Sequence, residues 1–143
     1  MSKQLKFHPK MYQIVTFILI LLLCLTAFLY TTNKNSLDNA VTSIAPSVFE
    51  LSIEIRENEE VEVNKININK EKFIDLFSIQ LKENLGFYHG NLKVSFYFYN
   101  VLTRSTCSES VSCNGVQIKI NPDAFYMFGK SSVYSYEVEK SGN

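Results

Sequence analysis

A long uncharged stretch, residues 11–30 (MYQIVTFILILLLCLTAFLY), dominates the hydropathy pattern of the chain. Helical residues rise about 1.5 Å each, so roughly 20 of them cross the hydrocarbon core of a bilayer. A secretory signal core is shorter and ends in a small-x-small cleavage site. Cleavage after Ala27 would place Leu25 at the −3 position, for which it is too large. We therefore predict an uncleaved transmembrane helix over residues 11–30. Signal-peptidase cleavage and lipid attachment at Cys24 are the alternatives.

The residues after this stretch carry an amphipathic stripe with helical spacing. Its apolar members are Leu37, Ala40, Val41, Ile44 and Ala45. No Gly or Pro interrupts the stripe before Pro46. We predict a stalk helix over residues 31–46 that continues the transmembrane helix. A separate helix after a short linker near residues 33–35 is the alternative.

The next segment changes to the alternation that is typical of half-buried strands. Residues 49–56 alternate with Phe49, Leu51, Ile53 and Ile55 on one face. Residues 61–68 resume the pattern but slip near Asn64 and Lys65, which predicts a hairpin with a bulge or kink. Six glutamates fall within residues 50–62. Their spacing matches no calcium loop, so we interpret them as a solvated hairpin.

One further helix is predicted over residues 70–85. Asn69 is a suitable N-cap, and Gly86 is a suitable residue to end the helix. The apolar positions recur three or four apart and must share one face. They are Phe73, Ile74, Phe77, Leu81 and Leu85.

Three alternating segments close the chain, at residues 92–102, 115–120 and 132–140. The short connection between the first two favours an antiparallel meander. The expected fold is therefore α+β: a stalk helix and then a domain over residues 47–143 with one hairpin, one helix and a three-stranded meander. We expect Phe96, Phe98, Val116 and Ile118 to receive the apolar helix face. The opposite face, with Tyr97 and Tyr99, should be covered by the stalk or by a partner.

The charge distribution orients the chain in the membrane. The 14 basic and 14 acidic residues balance, but residues 1–10 contain three lysines and no acid, whereas the remainder is net −3. By the positive-inside rule, residues 1–10 form a cytoplasmic tail and residues 31–143 lie outside. A slightly acidic domain without a basic face excludes nucleic acid as a partner.

Motifs for catalysis are missing from the sequence. His8 and His89 are its only histidines, and the membrane should separate them. A Cys–His nucleophile would need Cys107 or Cys113 with His89, and no local motif supports one. We expect no enzyme activity and no catalytic, cofactor-binding or metal site.

Two features outside the core indicate a covalent link and an interaction surface. Cys107 and Cys113 lie between two strands and, on this topology, in an oxidising compartment, which favours a disulfide. Free thiols on a mobile loop, or metal binding, are the alternatives. The segment from Phe125 through Tyr126 and Met127 to Phe128 is apolar enough to be an interaction surface. A core-capping turn is an equal alternative.

The order of elements, a basic tail, an apolar helix, a stalk helix and an antiparallel domain with a Cys loop, resembles type IV pilin-like proteins and, more closely, TadE-like pseudopilins. The resemblance is architectural, because the processing motif of the family is missing. That motif has a Gly or Ala just before the apolar segment and a Glu five residues into it, whereas here Pro9 and Lys10 precede the segment and residues 11–30 contain no Glu. It implies a single-pass subunit of a pilin-like, secretion or conjugation apparatus in the bacterial cytoplasmic membrane. Its partners would be the membrane and other envelope proteins, with self-association through the N-terminal helix as one option. The alternative is a stand-alone anchored domain that binds a protein or envelope ligand.

Overall fold

The computed structural model describes residues 8–85, 92–122 and 131–138. These residues form an α+β fold with a long N-terminal helix, as the hydropathy pattern predicts. The elements, in chain order, are α1 (Pro9–Leu51), β1 (Ile53–Ile55), α2 (Glu62–Lys65), β2 (Ile66–Ile68), α3 (Lys70–Asn84), β3 (Leu92–Tyr99), β4 (Gly115–Pro122) and β5 (Ser132–Glu137).

Helix α1 is a single helix of 43 residues, about 65 Å long at the usual rise per residue. Pro9 lies in its first turn, where the missing N–H is not needed. The prediction that the apolar segment and the stalk are continuous is confirmed, with no break near residues 33–35. The buried residues of α1 all lie in its second half: Asn33, Leu37, Ala40, Val41, Ile44, Ala45 and Val48.

The predicted end of this helix at Pro46 is wrong, because α1 runs on to Leu51. A proline inside a helix removes one hydrogen bond and costs about 3 kcal/mol. The helix continues because Val48 extends the buried stripe and is itself fully buried, which recovers about 1.5–3 kcal/mol. The helix ends at Ser52, whose backbone N–H donates to the Val48 carbonyl at 3.1 Å.

The predicted hairpin is confirmed, but its first strand is shorter than expected. Strands β1 and β2 pair antiparallel, with Ile53 opposite Ile68 and Ile55 opposite Ile66. The expectation that residues 49–55 form one core-facing strand is wrong, since Leu51 is still helical. Leu51 is 56% exposed and Ile55 is 76% exposed, so neither contributes to the core.

The slip in the pattern near Asn64 reflects a helical turn, α2, rather than the predicted bulge. The backbone N–H of Lys65 donates to the Val61 carbonyl at 3.1 Å and closes this turn. Two tertiary bonds hold it: the Asn64 carbonyl accepts from the Ser112 hydroxyl at 2.6 Å, and the Asn64 side chain accepts from the Asn100 amide at 3.2 Å. These long-range bonds override the local preference of the segment for a strand.

Helix α3 agrees with its sequence prediction. The side chain of Asn69 accepts a hydrogen bond from the Lys72 backbone N–H at 3.1 Å, as an N-cap does. Its buried residues are Phe73, Phe77 and Leu81. Gly86, the predicted end signal, lies outside the described residues.

The second sheet is the predicted antiparallel meander in the order β3-β4-β5. Its register places Phe96 opposite Ile118, and Ile118 opposite Tyr134. The side chains alternate between an inner face, which the helices cover, and an outer face.

Both long helices pack on the inner face of this sheet. The rings of Phe73 and Phe77 meet Phe96 edge-on, with ring centroids 5.9 and 5.5 Å apart. Helix α1 contacts α3 and β5, and the Tyr134 hydroxyl donates to the Asp38 carboxylate. The stalk therefore lies on the inner face. Of the two alternatives for the Tyr97 face, coverage by the stalk is wrong, and coverage by a partner stays a prediction.

The connections define two ends of the domain. The hairpin lies at the end where α1 terminates, because the Ile68 N–H donates to the Cys113 carbonyl at 2.6 Å, just before β4 begins. Strand β5 ends there too, where the Val138 N–H donates to the Asn114 carbonyl at 3.0 Å. Leu92, Pro122 and Ser132 consequently lie at the opposite end, nearer to the apolar half of α1. We call the two ends the Leu51 end and the Leu92 end.

Candidate functional site

The first half of α1 presents bare apolar surface. The most apolar window of 18 residues has a mean hydropathy of 2.6, and none of it is buried. Among residues 8–85, 92–122 and 131–138, α1 is the one helix long and apolar enough to cross a membrane. Its large exposed apolar side chains are Met11, Tyr12, Ile14, Val15, Phe17, Ile18, Leu19, Ile20, Leu21, Leu22, Leu23, Leu25 and Phe28.

The hydroxyl groups within this apolar half bond to their own helix. Thr16 donates to the Tyr12 carbonyl at 2.7 Å, Thr26 to the Leu22 carbonyl at 2.8 Å, and Thr31 to the Ala27 carbonyl at 2.9 Å. A polar group in hydrocarbon must find its partner within the protein. These bonds to the preceding turn make the threonines compatible with an apolar environment.

Beyond Tyr30 the environment of α1 changes within one turn. Asn33 is 2% exposed and Leu37 is fully buried, whereas Lys34 between them is exposed. The domain therefore begins immediately after the apolar segment, without a linker. The helix that carries the apolar surface is also a main element of the domain core.

The structure brings Cys107 and Cys113 to disulfide distance, with their Cα atoms 5.3 Å apart. Both cysteines are buried, and the loop between them adjoins the hairpin. The Cys113 N–H donates to the Asn67 side chain at 2.9 Å, and the Arg56 guanidinium donates to the Glu109 carbonyl at 3.4 Å. The pair thus stabilises a loop that holds the hairpin against the sheet.

Two buried asparagines complete this junction. The Asn114 side chain accepts from the Val101 N–H at 2.6 Å and donates to the Val63 carbonyl at 3.1 Å. The Asn100 side chain donates to the Ser112 carbonyl at 2.9 Å and accepts from the Leu102 N–H at 3.0 Å. Buried amides whose bonding capacity is filled in this way fix one arrangement of the chain. We interpret the junction as structural.

On the outer face of the sheet, Tyr99 reaches across a neighbouring strand. Its β4 partner is Gly115, whose own β5 partner is Glu137. A Cβ at Gly115 would lie 2.6 Å from the Tyr99 ring, so only glycine lets the ring lie over β4. The phenol then donates to Glu137 Oε1 at 2.5 Å. Burial, followed by this bond to Glu137, raises the pKa of Tyr99 to about 12.

Arg104 closes one side of a groove of about 270 Å³ on this face. Its backbone has a φ of 57°, the one positive value at a non-glycine residue within the described ranges. This conformation directs the guanidinium to Glu137 at 2.5 Å, with its central carbon 5.9 Å from the Tyr99 ring centroid. The other residues that line the groove are Tyr97, Gln117 and Ser135.

The residues singled out for catalysis, metal binding or interaction are only partly described by the structure. Within residues 8–85, 92–122 and 131–138, no three His, Cys, Asp or Glu side chains are grouped to hold a metal ion. His8 is the N-cap residue of α1, whereas His89 lies outside the described residues. The candidate surface of Phe125, Tyr126, Met127 and Phe128 also lies outside them, so it stays a prediction.

Sequence reasoning missed the link between Tyr99, Glu137 and Arg104. Alternation places Tyr97 and Tyr99 on one face, but it does not give the register that sets Glu137 opposite Gly115. It also missed the asparagine junction, because single polar residues in loops carry no periodic signal. The one available signal was the concentration of Asn and Ser around the two cysteines.

Comparisons of this chain with protein-family models, with curated proteins and with solved structures found no match.

Proposed function

We propose that the protein is a single-pass subunit of a pilin-like, secretion or conjugation assembly in the bacterial cytoplasmic membrane. Residues 11–30 of α1 cross the bilayer, the lysine-bearing tail lies inside, and the domain lies outside. Cys107 and Cys113 form a disulfide in that compartment. The protein acts as an assembly part and not as an enzyme.

One observation carries this proposal: a single continuous helix is bare and apolar in its first half and buried in the domain core in its second half. A simple tether would need only the first half, followed by a flexible linker. Here no linker separates them, since Leu37 is already fully buried. The position of the apolar helix therefore fixes the position of the domain, so that packing between neighbouring helices also orders their domains.

The apolar half also offers a side for packing against a neighbouring helix. At 100° per residue, Cys24 lies about 140° around α1 from Leu37, and Phe28 lies about 180° from it. Both side chains are exposed and point away from the domain of their own chain. A second copy can therefore contact this side without a clash between the two domains.

Cross-linking in native membranes tests the assembly. Oxidation should join two copies through Cys24, which is exposed and lies outside the buried cysteine pair. The matched control is the double variant Cys24→Ser/Leu19→Cys, which moves the thiol to the side of α1 that lies below the domain. Strong dimer formation through Cys24 and weak formation in the control is the expected result. Equal yields, or no dimer in either protein, would contradict self-assembly through this helix.

The exposed aromatic groove favours a second candidate, a stand-alone anchored domain that binds an envelope ligand. Tyr97 is 45% exposed at the mouth of this groove. In that case the domain would act without contact between copies. Two results together would favour this second candidate: no Cys24 cross-link forms, and Tyr97→Ala lowers the binding of the domain to envelope components.

A further inference from the structure

The outer face of the sheet is basic, although the domain as a whole is slightly acidic. Lys93 and Lys119 are exposed there, opposite Asn121 and Ser95 in the ladder of β3 and β4. Neither lysine side chain has a partner among the described residues, whereas Glu137 is already engaged by Arg104. Exposed apolar surface accompanies them. We call Lys93, Tyr97, Lys119 and Val133 the basic sheet face.

The loop of the hairpin has the opposite character. Residues 57–62 contain four glutamates and no basic residue. The side chains of Glu57, Glu59 and Glu60 make no ion pair with any described residue. Next to them, Ile55 is 76% and Val61 is 48% exposed. We call residues 57–62 the acidic hairpin; the neighbouring Arg56 is half-buried and donates to the Glu109 carbonyl.

We propose that the acidic hairpin of one copy docks on the basic sheet face of a second copy of this chain. This inference rests on the proposed assembly function and names the contact between its domains. The two surfaces are complementary in charge, and each combines its charges with exposed apolar side chains, of which Tyr97 is 45% exposed and Val133 is 52% exposed. Tyr at the centre of a polar rim is a common energetic anchor of protein interfaces.

The positions of the two surfaces determine the geometry of the assembly. The acidic hairpin lies at the Leu51 end, next to the start of β4. Lys119 lies four residues further along that strand, about 13 Å towards the Leu92 end. The acidic hairpin of one copy therefore meets the neighbouring sheet from its Leu51 end. Because the contact uses different surfaces on each partner, it repeats from copy to copy around a ring or along an open array.

The strength of the contact depends on the anchor. Ion pairs between exposed side chains are individually weak and are screened by salt. Copies whose helices already pack together hold their domains at a high effective concentration, which lets a weak second contact form. The apolar helix thus supplies the association, and the charged surfaces set the register between neighbours.

Charge-reversal variants test the proposal. Self-association is measured between two differently tagged copies of the full-length protein in detergent. Lys93→Glu/Lys119→Glu should lower self-association about tenfold, or about 1.4 kcal/mol. Glu57→Lys/Glu60→Lys should do the same, because like charges then meet. A mixture of the two variants should associate as strongly as the unchanged protein, since each restores the complement of the other.

The matched control is Lys72→Glu/Lys82→Glu, which reverses two exposed charges on α3 and should leave association unchanged. Thermal unfolding of each variant verifies that the fold is intact. If the mixture fails to restore association, the contact is overturned. It is also overturned if Lys93→Glu/Lys119→Glu self-associates normally but binds more weakly to anionic vesicles. If Cys24 cross-links still form in either case, the proposed assembly function survives. If no association occurs at all, both proposals fail.

Discussion

The Tyr134 hydroxyl donates a hydrogen bond to the Asp38 carboxylate and so joins two residues that are 96 positions apart in the sequence. Asp38 lies on α1, seven residues before the buried Ala45, and Tyr134 lies on the inner face of β5. The bond fixes the long helix against the last strand of the sheet. It is therefore a contact through which the orientation of the helix is coupled to that of the domain.

This coupling can be measured by a double-mutant cycle. A hydrogen bond to a charged group contributes about 1.5–3 kcal/mol, and less where it is partly exposed. Tyr134→Phe and Asp38→Asn should each lower the free energy of unfolding by about 1–2 kcal/mol, and the double variant by less than the sum. Chemical denaturation in detergent provides the measurement. Tyr136→Phe, at a half-buried tyrosine of the same strand, should have a small effect, and a larger loss there than at Tyr134 would contradict the assignment.

Alkaline pH should destabilise the domain through its buried tyrosines. Burial also raises the pKa of Tyr136, but Tyr99 and Tyr134 additionally bond to carboxylates. Burial raises the pKa of Tyr99 to about 12, and burial followed by the bond to Asp38 raises the pKa of Tyr134 above its ordinary value. Both phenols hold their protons more tightly in the folded state, so their contribution is complete below pH about 10 and is lost as the pH rises towards 12. Unfolding free energies measured across this range should fall. The double variant Tyr99→Phe/Tyr134→Phe should show a shallower decline, and an identical decline would exclude these groups as its cause.

The aromatic contact between α3 and the sheet should dominate the stability of the core. Phe77 is fully buried, and its ring meets Phe96 at 5.5 Å. Phe77→Ala should lower the free energy of unfolding by about 3–5 kcal/mol, because it removes a large buried side chain and leaves a cavity. Lys82→Ala on the exposed side of the same helix should change it by less than about 0.5 kcal/mol. Similar melting temperatures for the two variants would show that this face is not part of the core.

The elements with a strong hydrophobic period were predictable from the sequence. Helix α3 follows from the spacing of Phe73, Phe77 and Leu81, together with the cap at Asn69. Strands β3 and β4 follow from strict alternation, which also identifies their inner face. In these segments local propensity and tertiary packing favour the same structure.

The structure differs from the sequence prediction where tertiary contacts outweigh a local signal. Pro46 is a reliable stop signal in isolation, yet the buried stripe that includes Val48 keeps the helix intact. The turn at Asn64 forms because distant residues, Ser112 and Asn100, bond to it. The glutamates of the acidic hairpin are clustered in the sequence itself. Lys93 and Lys119 are visible there only as separate residues, because the register of the sheet determines that they share a face.

The proposed function depends on the topology of the anchor, which can be measured by labelling single introduced thiols in intact spheroplasts. Asn58→Cys places a thiol on the exposed hairpin, and Lys6→Cys places one in the basic tail, each in a protein that also carries Cys24→Ser. A membrane-impermeant maleimide should label Asn58→Cys in intact spheroplasts and Lys6→Cys only after lysis, with both proteins retained in the membrane fraction. Labelling of Lys6→Cys before lysis, or release of an intact soluble domain, would show that the anchor does not have this topology.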